Sequence, residues 1–343
     1  MNGRFIFAAV GMDHGHIYGM ADGLLGAGAV MKWAYDPDPQ KLKEFLEKYP
    51  SSGTMAADSI QQILDDPEVE LVASACVPVD RAPLGIRVME AGKDYFADKA
   101  PMITLDQLEQ VREAIRRTGR KYMVNYSERL HSEAAVFAER LIKEGKIGQV
   151  VQVMGMGPHR LGGPRPDWFY DRKRYGGILI DIGSHQIEQF LYYTGAKDAV
   201  IQSSRIGNYN HPDTPELDDF GEACLTADNG AAGYFRVDWF TPDGLSNWGD
   251  GRTFILGTEG YIEMRKYVNI AATPDQPKED HVFWADKEGE HYENVHGKMG
   301  YPFFDRLIED CRNRTETAMT QEHALKAAEL CIKAQLQAGK VAR

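Results

Sequence analysis

The chain has 343 residues, of which 43% are hydrophobic and 26% charged, with a formal net charge of −12. That length exceeds one ordinary core and predicts two domains. The acidic balance speaks against nucleic acid or an anionic membrane as partner, because a phosphate surface calls for a basic footprint, and no run of about 18 apolar residues suggests a membrane span.

The first 125 residues alternate strand and helix signals. Phe5 to Val10 is a short apolar run, and Ile17 to Leu25 follows with helical spacing. Val30 to Tyr35 predicts a strand, and Pro39 to Lys48 a helix with proline in its first turn. A helix over Asp58 to Leu64 precedes the strand Leu71 to Ala75. A helix over Arg81 to Ala91, the strand Asp94 to Ala97, the helix Leu105 to Thr118 and the strand Lys121 to Asn125 complete the series. Alternation at this pitch implies parallel βαβ units, so residues 1–125 are expected to form a doubly wound Rossmann-type domain.

The pattern changes after a helix over His131 to Glu144. Alternating stretches at Gln149 to Gly155, Ala199 to Gly207, Glu222 to Ala227, Ala231 to Trp239 and Arg252 to Met264 predict a large, mostly antiparallel open sheet. Asp228-Asn229-Gly230 supplies a hairpin turn. Helices over Phe303 to Arg312 and Gln321 to Gln337 close the chain, the second with Thr320 as its N-cap. Residues 126–343 are therefore expected to form an α+β domain, its last helix free to pack back on the first. The N-terminus passes from Met1-Asn2-Gly3-Arg4 straight into a strand, without a secretory leader's apolar core. Cys76, Cys224, Cys311 and Cys331 form no Cys-x-x-Cys pair, which argues for a reducing cytoplasm over a disulfide framework.

In a doubly wound fold, phosphate binds where the first strand turns into the first helix. That turn reads Gly11-Met12-Asp13-His14-Gly15-His16. Gly11 takes the first glycine position of a dinucleotide fingerprint, but Asp13 and His16 stand at the second and third, and Gly15 is out of frame. Asp13 would repel a pyrophosphate unless its side chain turns away. Asp36 ends the second strand about 20 residues after the turn, where an acid meets the ribose hydroxyls. A carboxylate there accepts from the 2′-hydroxyl and repels a 2′-phosphate, which favours NAD over NADP. The alternative for Asp36 is a turn residue before Pro37. His14 and His16 with Asp13 also offer metal donors. No second cluster of acids and histidines accompanies them, so histidines lining the cofactor cleft, without a metal, are preferred.

Lys99, in Asp98-Lys99-Ala100-Pro101, follows a strand's carboxyl end, where open α/β sheets bind ligands and a lysine can stabilise charge on a substrate oxygen. Further on, Tyr175-Gly176-Gly177-Ile178-Leu179-Ile180-Asp181-Ile182-Gly183-Ser184-His185 spaces Asp181 and His185 one helical turn apart. Histidine suits proton transfer near neutral pH, and a nearby carboxylate can orient it; a structural histidine is the alternative.

These residues resemble the glucose–fructose oxidoreductase, inositol dehydrogenase and rhizopine-catabolism (Gfo/Idh/MocA) oxidoreductases along essentially the whole chain. The likeness rests on the glycine turn, on Asp-Lys-Ala-Pro standing for the family's Glu-Lys-Pro, and above all on the Gly-Gly-x-x-x-Asp-x-Gly-x-His run. It departs in the irregular turn, in aspartate before Lys99, and in Ala100 with proline displaced by one. The resemblance implies that Lys99, Asp181 and His185 form the catalytic group, with Lys99 also near the cofactor. His185 would be the base, Lys99 would polarise the hydroxyl, and Asp181 would position substrate and histidine. It also implies a sugar or polyol substrate and a homodimer or homotetramer. Tyr126, Arg129, His159, Arg165 and Trp168 are candidate substrate contacts: aromatic rings offer a flat surface to a sugar, and Arg or His can donate to its oxygens. Two other functions remain open: an NAD-using glycosidase or lyase with transient oxidation, and a non-catalytic sensor of the same fold. Retention of Lys99, Asp181 and His185 together argues against the sensor.

Overall fold

The structure, a computed structural model, describes residues 3–163 and 165–341. Met1, Asn2, Pro164, Ala342 and Arg343 lie outside it. The chain divides into two compact units, Met1–Asn125 with Pro302–Leu325, and Tyr126–Tyr301 with Lys326–Arg343.

The first unit runs β1 (Ile6–Val10), α1 (His16–Gly26), β2 (Val30–Tyr35), α2 (Pro39–Lys48), β3 (Met55–Ala56), α3 (Ile60–Asp65), β4 (Leu71–Ser74), α4 (Pro78–Glu90), β5 (Asp94–Asp98), α5 (Leu105–Thr118) and β6 (Tyr122–Asn125). Its six strands are all parallel, in the order β3-β2-β1-β4-β5-β6. Order reverses between β1 and β4, which makes the carboxyl ends of these strands the natural ligand crevice. Every residue of β4, β5 and β6 is buried, as parallel strands covered on both faces require. The helices start where side chains satisfy their first amides. Asp38 accepts from Gln40 N–H with Pro39 at the first turn, Ser59 from Gln62 and Thr104 from Gln107. Each such cap is worth about 1 kcal/mol. The helix Phe303–Asn313, placed by the sequence reading in the second domain, groups here with the first: Phe303 and Phe304 ring against Phe96 of β5.

The second unit opens with α6 (Ser127–Leu130), α7 (Glu133–Lys143) and β7 (Val150–Pro158), then three consecutive helices, α8 (Arg172–Tyr175), α9 (Ile178–Asp181) and α10 (Gly183–Thr194). Strands β8 (Ala199–Gly207), β9 (Phe220–Ala227), β10 (Ala232–Asp238), β11 (Arg252–Gly257), β12 (Tyr261–Arg265), β13 (His281–Asp286) and β14 (Gly289–Asn294) follow. The helix Phe303–Asn313 is α11, and the chain ends in α12 (Gln321–Gln337) and β15 (Gly339–Lys340). Thr320 Oγ1 accepts from His323 N–H at the start of α12.

The sheet order is β14-β13-β12-β11-β7-β10-β9-β8-β15, antiparallel except for the parallel pairs β7/β10 and β8/β15. It is therefore mixed but mostly antiparallel, and α7, α9 and α10 pack on one face. The single strand expected over Arg252 to Met264 is in fact a hairpin, β11/β12, turned at Thr258–Gly260: Gly257 N–H donates to Gly260 carbonyl at 2.8 Å. The β13/β14 hairpin was not anticipated at all.

Candidate functional site

In the first unit, the turn after β1 is built by long-range contacts. Gly11 has φ +73°, and a Cβ there would sit 2.6 Å from Cys76 Cβ, so only glycine lets the turn close against the end of β4. Its N–H donates to the Tyr35 carbonyl at 3.0 Å, and His14 N–H donates to Ala75 O at 3.0 Å. Asp36, buried at the end of β2, accepts from Met12 N–H at 2.5 Å on one oxygen and from Asp38 N–H at 2.8 Å on the other. Asp36 thus ties the glycine turn to the second strand. Asp13 turns to Lys41 of α2, whose Nζ lies 2.6 Å away. Burial opposes the Lys41 charge, but the Asp13 bond and the fields of Asp36 and Asp38 raise its pKa. The repulsion expected from Asp13 is thereby offset. Gly15 precedes α1 and has no side chain to cap it; the first amides of the helix turn to the preceding loop instead, His16 N–H to His14 Nδ1 at 3.3 Å and Ile17 N–H to the His14 carbonyl at 3.2 Å.

His14 and His16 meet an acid the sequence reading did not assign to them. His16 Nδ1 lies 2.8 Å from Asp98 Oδ1, and His14 Nδ1 lies 3.4 Å from Asp98 Oδ2. The donor set considered from the sequence, both histidines with Asp13, is corrected: the acid is Asp98, brought from the end of β5 by the sheet. Arg81 of α4 holds the same carboxylate, at 3.2 Å, from a fully buried position. Arg81 also donates from Nε to Cys76 O at 2.7 Å, and from its guanidinium to the carbonyls of Lys99 and Ala100. Burial would raise Asp98, yet the fields of His16 and Arg81 hold it far below the carboxylate range. Burial, reinforced by His16, pushes His14 well down, so His14 is neutral at pH 7. Lys99 follows Asp98 in a buried position with a cis Lys99–Ala100 peptide. Arg81 is the residue that sequence reasoning missed, since nothing in local spacing tells a helix arginine that it faces a strand end 17 residues later.

In the second unit, Gly176 ends α8 at φ +94° and Gly177 opens α9 at φ +114°. A Cβ on Gly177 would lie 2.3 Å from the Gln335 amide, so the pair is needed for both backbone and space. Asp181 is the last residue of α9 and His185 sits in the first turn of α10; both are buried, and Ser184 Oγ donates to the Asp181 carbonyl at 2.7 Å. Of the substrate candidates, Tyr126 is buried at the start of α6, and Trp168 is buried and stacked on Phe169 at 4.1 Å. Arg165 lies over the rings of Phe169 and Trp239 at 4.9 and 5.3 Å. Burial lowers its pKa, against the opposing field of Asp181. His159 packs on Trp248 at 4.4 Å and Trp239 at 5.6 Å. Arg129 differs. Its Nε donates to Glu188 at 2.8 Å, its guanidinium covers the Tyr192 ring at 3.6 Å, and it serves to fasten α6 to α10.

No helix among the described residues is long and apolar enough to cross a membrane. Two family models match the chain: "Oxidoreductase family, NAD-binding Rossmann fold" over residues 15–126, and "GFO/IDH/MocA C-terminal domain" over residues 136–263. A solved structure from Erwinia carotovora atroseptica is 48% identical, with TM-score 0.94 over 99% of this chain and 100% of that one. Scyllo-inositol 2-dehydrogenase (NAD(+)) of Bacillus subtilis is 28% identical over 59% of this chain and 56% of its own length. Levoglucosan dehydrogenase of Pseudarthrobacter phenanthrenivorans is 26% identical over 72% and 67%. The chain spans about half the length of the first curated relatives it matches. A levoglucosan dehydrogenase structure in complex with NADH and levoglucosan shares the fold at TM-score 0.79 and 17% identity. With an NAD-binding Rossmann unit, a mostly antiparallel second sheet and both family models matched in chain order, this protein belongs to the Gfo/Idh/MocA oxidoreductase family.

Proposed function

We propose that the protein is an NAD-dependent dehydrogenase acting on a hydroxyl-bearing carbon of a sugar, polyol or sugar derivative. The observation that carries this reading is the buried Asp181–His185 pair, set at the junction of α9 and α10 behind Gly176-Gly177. The named relatives that oxidise inositol, xylose or levoglucosan support the substrate class. His185 accepts the hydroxyl proton, Asp181 positions it and the substrate, and Lys99 donates to the oxygen on which charge develops. His159, Arg165 and Trp168 with Trp239 and Phe169 supply rings and donors suited to a carbohydrate, whereas Arg129 is committed to Glu188.

The residues fit a dinucleotide. Gly11 closes the turn, Asp13 is neutralised by Lys41, and Asp36 stands at the end of β2. A bound nicotinamide would supply the hydride acceptor, held by the glycine turn and Asp36. No metal is called for, since Arg81 already balances Asp98 between the two histidines. The screen that tests the function offers free sugars, polyols and sugar acids with NAD and follows NADH absorbance. Turnover without net NADH would favour the glycosidase or lyase reading, and no turnover of any kind the sensor.

NAD(H) is expected to bind more tightly than NADP(H), because the Asp36 carboxylate accepts from a ribose hydroxyl and repels a 2′-phosphate. Calorimetry with both cofactors measures the gap, and Asp36→Ala should narrow it. Equal or tighter NADP(H) binding by the wild type sinks the assignment.

A homo-oligomer, dimer or tetramer, is also expected. Strand register aligns Val200, Thr226, Ala232, Gln152, Leu256 and Tyr261 in one row across the second sheet. Val200, Leu256 and Tyr261 are exposed there, as is Met154 in the adjoining row. An apolar face of this breadth calls for a cover. Light scattering near the monomer mass of 38.5 kDa at micromolar concentration would refute it.

A further inference from the structure

The second unit holds a buried ionic group that the reading above does not use. Glu128 of α6 is buried, and its Oε2 accepts from Lys266 Nζ and from Gln186 Nε2, each at 2.9 Å. Lys266 is buried as well and donates a further bond to Gln189 Oε1 at 3.1 Å. Gln189 in turn donates from Nε2 to the His185 carbonyl at 2.9 Å. One oxygen of Glu128 is therefore fixed by a lysine and an amide wired to the helix that carries His185. The other, Oε1, is buried with no hydrogen-bond partner among the described residues.

His159 faces that oxygen, its Nε2 at 3.9 Å, within ion-pair reach but beyond a hydrogen bond. The opposite ring nitrogen, Nδ1, is 3.2 Å from the Gly157 carbonyl, which can only accept, so Nδ1 carries a proton. A neutral ring would then aim a bare Nε2 lone pair at a carboxylate oxygen; a proton on Nε2 turns that repulsion into attraction. Trp239 and Trp248 hold the ring in this orientation. The titratable groups facing Glu128 are Lys266 and Tyr267 beyond β12, His185 on α10 and His159 beyond β7. Arg129, on the same short helix, is neutralised by Glu188.

We propose that Glu128 is a positioning carboxylate: Lys266 and Gln186 anchor one of its oxygens, and the other orients and charges His159 as a cationic donor. The use of that donor on a substrate rests on the dehydrogenase reading; the coupling of Glu128 to His159 does not. Burial alone would raise Glu128, but Lys266, and then His185 and His159, hold it well below the usual carboxylate range, so the charge that acts on His159 is present at every working pH.

The test is histidine titration by NMR on the protein without cofactor, with His159→Asn identifying the His159 signals. A carboxylate favours the imidazolium, so Glu128→Gln should lower the His159 midpoint by about one pH unit. Nitrogen-15 shifts of the wild type at pH 7 should show a proton on His159 Nε2, a measurement that stands even where Glu128→Gln does not fold. An unchanged His159 midpoint in a folded Glu128→Gln, or a bare Nε2 in the wild type, overturns the proposal. With an active substrate in hand, the basic limb of the kcat/KM profile should move to lower pH in Glu128→Gln while the plateau falls. Should every substrate fail but the titration shift, the dehydrogenase reading is lost and the coupling stands.

Discussion

His185→Ala is expected to lower kcat about 10²-fold or more, the usual scale for losing general acid–base help. Lys99→Met should do the same, because both groups act on charge that develops in the transition state rather than on ground-state binding. The dinucleotide affinity should stay within a few-fold for His185→Ala. The turn assigned to the cofactor is held by its own bonds, Met12 N–H to Asp36 and Gly11 N–H to the Tyr35 carbonyl, none of which involves His185. Asp181→Asn keeps the shape of the α9–α10 junction, including the Ser184 bond to the residue 181 carbonyl, but removes the charge; activity should fall through misplaced substrate and histidine. Stopped-flow measurement of the hydride-transfer step, beside calorimetry of NAD binding, separates the two effects. Near-normal turnover in a folded His185→Ala that still binds cofactor would mean that His185 is a core histidine and the base lies elsewhere.

The sequence reading succeeded where order is local. Periodicity and capping residues placed β2, α2, α5, β8 and α12 at the bounds the structure shows, and strand–helix alternation predicted a parallel sheet with five of its six strands, the two-residue β3 being too short to leave a pattern. It failed where a local signal was weak or ambiguous. Arg252 to Met264 is strand-like on both sides of its middle, and the turn inside it rests on Gly257 and Gly260 rather than on an Asn-Gly pair. The β13/β14 hairpin carries His281, Asp286, Glu290 and His291, polar residues that read as loop and are tolerated at a sheet edge. In the candidate site, the residue types were legible and their partners were not. Asp13 and Asp36 both follow a strand end, yet one finds Lys41 and the other the Met12 amide. Glu128 and Arg129 are neighbours in sequence, but Lys266 claims the first and Glu188 the second. Pairings of this kind are fixed by tertiary packing, which spacing does not encode.

The largest effect on stability is expected at Arg81. Its guanidinium is fully buried and meets the buried Asp98 carboxylate and the carbonyls of Cys76, Lys99 and Ala100, so one side chain supports the whole loop that carries Lys99. Arg81→Met leaves a comparable volume but strands a buried carboxylate beside fewer positive groups, at a cost of about 3–5 kcal/mol. For a unit of this size that corresponds to a drop of roughly 10 °C in the melting temperature. Arg81→Lys should not restore it, since a point charge cannot reach the carboxylate and the carbonyls together. The pH dependence carries the signature of the pair. Burial opposes the Asp98 charge, but His16 and Arg81 hold its carboxyl far below the ordinary value in the folded state. A depressed carboxyl contributes stability that is fully present above the unfolded pKa, about 3.9, and is lost as pH falls below it toward the folded value. The gap in melting temperature between wild type and Arg81→Met should therefore be widest near neutrality and shrink below about pH 4. Scanning calorimetry from pH 3 to 8 measures it. A melting temperature within 2 °C of wild type at pH 7 would show that neither the Asp98 carboxylate nor the Lys99 loop depends on the guanidinium.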